Sequence, residues 1–217
     1  MTRDWTSLKK PQASGGSRDI QRLRIDSAET KVRFVGNVLP RYVYWVTTTE
    51  GKRVPLDCLG FDRDSEQFSS KNRDPFTELN EAVFDEKPTF SYVCNVIDRK
   101  DGQVKLMDLK TTIYKQIIDY AVNPEYGNPS DPEQGYDITI KREKTGPQPQ
   151  NVKYTVMPSR NVVPLTDEEK QAELYTLDAL FKRPTYEEQK EWLLKNTNYF
   201  SEDVALDLNS TETMQDL

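Results

Sequence analysis

Four short stretches of the sequence place lysine or arginine beside residues typical of β-strands, and three of the four adjoin an aromatic residue. They are KVRFVG (31–36), LPRYVYWV (39–46), GKRVP (51–55) and TIKREKTG (139–146). Cationic side chains replace the counterions of a phosphate backbone, and aromatic rings offer faces on which unpaired bases stack at ~1–3 kcal/mol each. The combination predicts a groove for single-stranded nucleic acid, since fully paired duplex offers no base faces to such rings.

The candidate contacts come from these stretches and from nearby strand residues. Arg41 and Trp45 share one face of a predicted strand, and Tyr42 and Tyr44 share the other; the sequence leaves open which face points into the core. We expect the cations to pair with phosphates and some of the aromatics to stack on bases. The full candidate set is Arg33, Arg41, Tyr42, Tyr44, Trp45, Lys52, Arg53, Tyr92, Lys110, Lys141, Arg142, Lys144 and Lys153.

One segment reads clearly as a hairpin, GYDITIKREKTGPQPQNVKYTV at 135–156, whose loop carries two prolines and a glycine. A turn centred near Pro147 sets Lys141 opposite Lys153, and like charges directly across a strand pair are destabilising, so a polyanion lying between them is favoured. An ordinary solvated face, with Glu143 and Asp137 as partners, is the equal alternative. Alternation assigns the core face to Tyr136, Ile138, Ile140, Val152, Tyr154 and Val156.

Several kinds of chemistry are excluded by composition. The chain has no histidine, which rules out His-based triads and zincin sites, and its two cysteines are too few for a four-ligand structural zinc site. We expect no metal, no cofactor and no catalytic residue. The enzymatic alternative is a metal-dependent nuclease built on Asp62, Asp64 and Glu66, although such charge runs are usually solvated loops. Cys58 and Cys94 are predicted to be buried thiols in a reducing compartment.

Charge is distributed unevenly along the 217 residues. Residues 1–163 carry a net charge of +2 and residues 164–217 a net charge of −8, which together give the overall −6. The pI of about 5.0 therefore conceals a mildly basic body joined to an acidic end. Hydrophobic residues make up 35% of the chain, less than in an ordinary globular domain, so polar segments without a packed core are expected.

The body reads as mostly strands with one or two inserted helices. Val-, Tyr-, Trp- and Thr-rich runs begin at Lys31, a Glu-Gly turn lies at 50–51, and an Asp-Gly pair at 101–102 predicts another hairpin. A short helix is expected near Phe76–Phe84, and a longer one over TTIYKQIIDYAV with Thr111 or Thr112 as its cap. The predicted fold class is mainly β with helices (α+β), an OB-fold-like barrel elaborated by an insertion and C-terminal helices.

Four regions follow from this organisation. Residues 1–19 are expected to form a mobile arm, 20–165 the OB-fold-like core, 166–200 a helical segment and 201–217 a disordered acidic tail. Capping boxes at Thr166/Glu169 and Thr185/Glu188 predict two amphipathic helices that pack on the barrel, with a partner-helix interface as the alternative. The start MTRDWTSLKK lacks the apolar core of a signal peptide, and no apolar run approaches the ~20 residues that span a bilayer.

The sequence resembles the helix-destabilising, single-stranded-DNA-binding proteins of tailed phages, whose core is an elaborated OB-fold. The resemblance runs from about residue 24 to the C-terminus. It rests on VRF followed by LP (32–34, 39–40), the block GQVKLMDLKTTIYKQIIDY, the late hairpin GYDITIKREK…VKYTVMPSRNVVPL, and the acidic finish STETMQDL.

The resemblance implies roles for particular residues. Arg33 matches a groove arginine of the family, and Lys141, Arg142 and Lys144 match a basic run. The family's basic arm supports cooperative binding, but SLKK (7–10) is a thin version of it; the family's structural zinc has no ligand set here. In the family the acidic tail recruits replication and recombination proteins and competes with DNA, and the resemblance implies the same roles for residues 201–217. Its carboxylates are Glu202, Asp203, Asp207, Glu212 and Asp216.

The sequence therefore predicts a non-enzymatic, sequence-non-specific single-stranded-DNA-binding protein of phage replication, recombination and repair. It would act in the cytoplasm of the bacterial host, with no membrane association. The alternative is an OB-fold-like module that binds RNA or a protein partner, because nothing in the sequence reads the 2′-hydroxyl.

Overall fold

The computed structural model describes residues 19–79, 84–148 and 150–199, and this part of the chain is mostly β-structure with several helices. The predicted fold class, an α+β fold with an OB-like strand core, is confirmed. The strands are β1 Glu29–Leu39, β2 Tyr42–Thr47, β3 Arg53–Asp57, β4 Phe61–Asp62, β5 Gln67–Phe68, β6 Thr89–Phe90, β7 Val93–Asp98, β8 Val104–Asp108, β9 Asp137–Lys144 and β10 Val152–Pro158. The helices are α1 Thr111–Ala121, α2 Asp167–Gln171, α3 Leu177–Leu180 and α4 Tyr186–Asn196.

Two sheets form the core, one of five strands in the order β10-β9-β1-β7-β8 and one of three in the order β3-β2-β6; β4 and β5 pair separately. All pairs within the sheets are antiparallel. Strand β1 contains a bulge between Val35 and Val38, where Gly36 has φ +67°. Bulges bend a strand, and here the chain continues almost directly from the large sheet into β2 of the small one.

The large sheet is buried on both faces along β1, β7 and β8. One face packs toward the small sheet and α1 through residues such as Phe34, Met107 and Ile113. The other face packs against the C-terminal segment, where Ile97 and Leu106 belong to the same cluster as Leu165, Tyr175 and Leu177. This double burial explains why every residue of β7 is buried. The end of β8 at Asp108 lies beside the start of α1 at Thr111 because only two residues separate them.

The late hairpin has the predicted faces but a different register. Tyr136, Ile138, Ile140 and Val156 are buried, as alternation predicts, and Tyr154 is half-buried. The predicted pairing of Lys141 with Lys153 is wrong, because the turn is centred one residue later. Lys141 lies opposite Thr155, and Lys153 lies opposite Glu143. The hairpin therefore has no like-charge pair at this point that needs a polyanion.

Two of the predicted helix N-termini are capped as expected, and two predictions at helix N-termini are wrong. The capping boxes of α2 at Thr166 and α4 at Thr185 are both formed. The predicted threonine cap of α1 is wrong: Lys110 occupies the cap position and makes no side-chain cap hydrogen bond. In place of the helix expected near 76–84, a 3₁₀ turn spans Pro75–Glu78, and residues 80–83 lie outside the described chain.

The C-terminal segment packs on the strand core through α3 and α4, but the single helix predicted behind Thr166 is wrong: α2 ends at Gln171 and buries no residue, and α3 begins separately at Leu177. Leu177 and Leu193 are buried, and Gln189 donates from Nε2 to the backbone carbonyl of Asp57 at 2.7 Å. Cys58 and Cys94 are buried free thiols, also as predicted, and burial raises the pKa of Cys58 to about 11. Of the helices in the described ranges, none has the length and apolar character needed to cross a bilayer. The predicted arm (apart from Asp19) and acidic tail lie outside the described residues.

Candidate nucleic-acid interface

A cleft of about 950 Å³ opens where the small sheet meets the junction of β8 and α1. The small sheet contributes Trp45, Pro55, Thr89 and Phe90, and the junction contributes the run 108–112. The lining is completed by Tyr154 of β10, the segment 22–25, Arg41, Ser91 and Phe181. The cleft therefore gathers side chains from seven separate stretches of the described chain.

The lining combines the two ingredients expected from the sequence. Its aromatic members are Trp45, Phe90, Tyr154 and Phe181, and its cations are Arg22, Arg24, Arg41 and Lys110. Among the lining residues that the structure describes, Asp108 is the one carboxylate. Trp45 is 37% exposed, a large fraction for an indole side chain in a sheet. Aromatic faces and cations in one cleft suit a single strand, whose bases and phosphates both need partners.

The alternation of β2 explains why Trp45 faces outward. Its neighbours Tyr44 and Val46 are buried between the sheets, so Trp45 must lie on the opposite face. It pairs in register with Pro55, and the guanidinium carbon of Arg53 lies 5.7 Å from the Trp45 ring centroid. A cation from the neighbouring strand thus accompanies the most exposed ring of the cleft.

The segment before β1 is held against the edge of β8. The Leu106 N–H donates to the carbonyl of Gln21, and the Leu23 N–H donates to the carbonyl of Leu106, both at 2.8 Å. These bonds position Arg22 beside the cleft, where its Nη1 lies 2.5 Å from the Asp108 carboxylate. Both side chains of this pair are about half exposed, so solvent screens their attraction.

Arg41 and Phe181 build a wall of the cleft. The Arg41 Nε donates to the Asp57 carboxylate at 3.1 Å, and its guanidinium carbon lies 4.5 Å from the Phe181 ring centroid. Arg63 binds the same carboxylate and also donates to the Phe181 carbonyl. Burial lowers the pKa of Arg41 from its usual value. Arg41 is therefore engaged in structural contacts and contributes shape and positive potential to the cleft.

The start of α1 adds an electropositive end. Thr111 and Thr112 line the cleft, and no side chain caps the helix. The first N–H groups of a helix lack intrahelical partners, and the helix dipole is positive at that end. Together with Lys110, this end of the helix favours an anion in the cleft.

Arg33, predicted from the family resemblance to contact phosphate, is fully buried at 0% exposure. Its Nη2 donates to the Asp131 carbonyl at 2.5 Å, and its Nε and Nη1 have no hydrogen-bond partner in the described structure. Burial lowers the pKa of Arg33. In this conformation a phosphate has no access to the guanidinium.

Three of the predicted aromatics also belong to the interior. Tyr44 packs on Phe76 with ring centroids 4.2 Å apart and is buried. Tyr92 stacks on Phe90 at 4.1 Å and donates its hydroxyl to Glu66; burial raises its pKa. The third, Tyr42, is half-buried against Phe61, Phe68 and Phe90.

The remaining predicted cations are on the surface but do not line the cleft. Lys52, Lys144 and Lys153 are exposed, Arg142 is half-buried, and Lys141 forms an ion pair with Glu29 at 3.1 Å. Sequence reasoning missed Phe90, Phe181, Arg22 and Arg24 as site residues and placed Tyr154 in the core. The run Arg22-Leu23-Arg24-Ile25 alternates cationic and apolar residues, and that pattern could have revealed the first two cations.

The carboxylates of the nuclease alternative are engaged locally. Asp62 accepts hydrogen bonds from the backbone N–H groups of Asp64 and Ser65 and from the Ser65 hydroxyl, and these bonds lower its pKa. Glu66 accepts from Tyr92 at 2.8 Å. Across the ranges that the structure describes, no group of three His, Cys, Asp or Glu side chains is placed to hold a metal ion.

An OB-like fold with a cleft of cations and aromatic faces defines a class of nucleic-acid-binding proteins. The family described as gp32 DNA binding protein like matches residues 41–200, about three quarters of the sequence. The chain belongs to this family, and the resemblance seen in the sequence is confirmed.

A curated relative from Escherichia phage T5 carries the name "Probable ssDNA-binding protein". It is 39% identical over 145 residues, which cover 62% of this chain and 54% of the relative. The matched region thus spans about half the length of the relative.

Proposed function

We propose that the protein binds single-stranded DNA, without sequence specificity, in the cleft between the small sheet and the β8–α1 junction. The observation that carries this proposal is that one exposed and three half-buried aromatic residues share one cleft with four cations, against a single carboxylate among the described lining residues. Membership of a DNA-binding family and the phage T5 relative's name support it.

In the proposed mode, bases stack on Trp45 and Tyr154, and phosphates pair with Arg22, Arg24 and Lys110. The N-terminus of α1 takes a further phosphate oxygen. Every base has an aromatic face, so stacking of this kind does not discriminate sequence. Binding consists of these contacts and involves no chemical step.

The biological role follows from preference for unpaired strands. A protein that binds the single strand and not the duplex shifts melting by mass action and protects the exposed strand. We assign this activity to phage DNA replication, recombination and repair in the host cytoplasm, with self-association on DNA. The acidic residues Glu202, Asp203, Asp207, Glu212 and Asp216 recruit partner proteins and compete with DNA for the cleft.

The competition by the tail has a direct test. Removal of residues 201–217 takes away five carboxylates and no cation, so affinity for oligo-dT should rise and its salt dependence should change. An unchanged affinity and salt dependence in the truncated protein would exclude autoinhibition by the tail.

The main experiment compares oligo-dT, RNA of the same length and a DNA duplex by equilibrium titration at two salt concentrations. The proposal predicts tight binding of oligo-dT that weakens with salt, and duplex binding at least about tenfold weaker, since paired bases offer no free faces. Absence of oligo-dT binding at low salt would overturn the proposal. Tighter binding of RNA than of DNA would assign the cleft to RNA instead.

A further inference from the structure

A second groove, of about 740 Å³, adjoins the cleft. We call it the polar groove; it is formed by the segment 22–27, the start of β1 and the β7–β8 hairpin. Arg22, Leu23 and Arg24 line both depressions. These three residues form a ridge, held to the β8 edge by backbone hydrogen bonds to Leu106. A single strand of DNA that left the cleft across this ridge would enter the polar groove.

Ion pairs engage three of the four carboxylates among the described residues that line the polar groove. Lys105 binds Asp98 at 2.7 Å and Asp101 at 2.5 Å, and Glu29 is paired with Lys141. Lys31, 55% exposed at its side chain, shares the buried Asp137 carboxylate with Arg99.

Two exposed cations of the lining, Arg24 and Lys100, form no ion pair with any residue in the described ranges. Among the described lining carboxylates, Asp26 likewise forms no ion pair. Arg24 and Lys100 are therefore the two described lining cations whose charge no ion pair engages, and they are the ones available to a phosphate.

The polar groove differs from the cleft in one respect that matters for single-stranded DNA: none of the described residues that line it is aromatic. Bases that pass through it have no ring on which to stack, and phosphates have Arg24 and Lys100. We infer that a bound single strand of DNA continues from the cleft over Arg22–Arg24 into the polar groove; this inference rests on the proposed function. The footprint then has a stacking half and a half held by phosphate contacts alone.

The test uses two oligo-dT lengths, about 4 and about 12 nucleotides, both within the range of about 4–16 nucleotides found for sites on a single OB fold. Lys100→Glu changes an exposed side chain that lines only the polar groove. It should weaken binding of the long oligonucleotide several-fold and leave the short one within about twofold. In Lys100→Ala, the slope of log affinity against log salt should fall by about 0.7 for the long oligonucleotide only, as expected for one lost phosphate contact on a single strand.

Two matched charge reversals separate the possible outcomes. Lys110→Glu, in the cleft, should weaken both lengths equally, and Lys71→Glu, an exposed lysine outside both linings, should weaken neither. Lengthening the oligonucleotide should tighten binding without adding tryptophan quenching at saturation. An unaltered affinity of Lys100→Glu for the long oligonucleotide would overturn the inference while leaving the cleft proposal intact. Failure of the unmodified protein to bind either length would instead overturn the proposed function.

Discussion

Lys110 lies over Tyr154, with its Nζ 5.4 Å from the ring centroid. The lysine immediately precedes α1, and the tyrosine lies on β10, so two distant parts of the chain place a cation and an aromatic face side by side in the cleft. A bound nucleotide needs a cation for its phosphate and an aromatic ring for its base, and the two must lie within the length of one nucleotide. The Lys110–Tyr154 pair therefore offers one nucleotide of single-stranded DNA a phosphate contact and a stacking surface at adjacent positions in the cleft.

Trp45→Ala should weaken oligo-dT binding by roughly 5- to 150-fold, because loss of one base-stacking ring costs ~1–3 kcal/mol. Its effect on folding should be small, since the side chain is more than one third exposed. Equilibrium titration checks the affinity, and thermal unfolding checks the fold. A Trp45→Ala protein with full affinity would remove this ring from the interface.

Lys110→Ala should lower affinity and reduce the slope of log affinity against log salt by about 0.7, the expected effect of losing one phosphate contact on a single strand. Titrations over a salt series measure both quantities. Lys71→Ala, which removes an exposed lysine outside the cleft lining, serves as the matched control and should leave the slope unchanged. A slope unchanged in Lys110→Ala would show that this cation does not meet phosphate.

Asp108→Asn should strengthen oligo-dT binding about fivefold at low salt. The change removes the one carboxylate of the cleft lining and releases Arg22 from its ion pair, and exposed pairs are worth up to about 1 kcal/mol. The gain should shrink as salt screens the charges. Asp119→Asn, an exposed position on α1 outside the cleft, is the control with the same charge change. Weaker binding by Asp108→Asn would mean that the Arg22–Asp108 pair organises the site.

Arg33→Met should leave oligo-dT affinity within about twofold of the original. Arg33 is fully buried with two unpaired nitrogen atoms, and an apolar side chain of similar length removes that cost. Asp137 keeps its ion pairs with Arg99 and Lys31, so the free energy of unfolding should stay the same or rise. A tenfold loss of affinity at unchanged stability would show that the guanidinium reaches DNA, as the family resemblance implied.

Much of the fold could be predicted from the sequence because local patterns determine it. Alternation identified the buried face of β9 and β10, the Asp-Gly pair predicted the β7–β8 turn, and the two capping boxes marked the starts of α2 and α4. Each of these signals acts within a few residues. The lysine register in the late hairpin was missed because a loop with two prolines leaves the centre of the turn undetermined by one position.

The kind of side chain that lines the candidate site could be predicted from the sequence, but only some of the individual residues could. Cations and aromatics were expected together, and Trp45, Lys110 and Arg41 do line one cleft. Alternation gives two faces to a strand without saying which one packs, so Tyr44 was counted with Trp45 although it is interior. Phe181 reaches the cleft only through tertiary packing of the C-terminal segment, for which no local pattern exists.

The central claim, that a single strand stacks in this cleft, is tested most directly by finding which tryptophan responds to DNA. Trp45 lines the cleft, whereas Trp192 lies on α4 outside its lining. Fluorescence titration with oligo-dT should show quenching in the unmodified protein and in Trp192→Phe, and most of that quenching should disappear in Trp45→Phe while affinity is largely retained. Full quenching in Trp45→Phe would contradict the account and place the single-stranded DNA elsewhere on the protein, whether the response came from Trp192 or from Trp5.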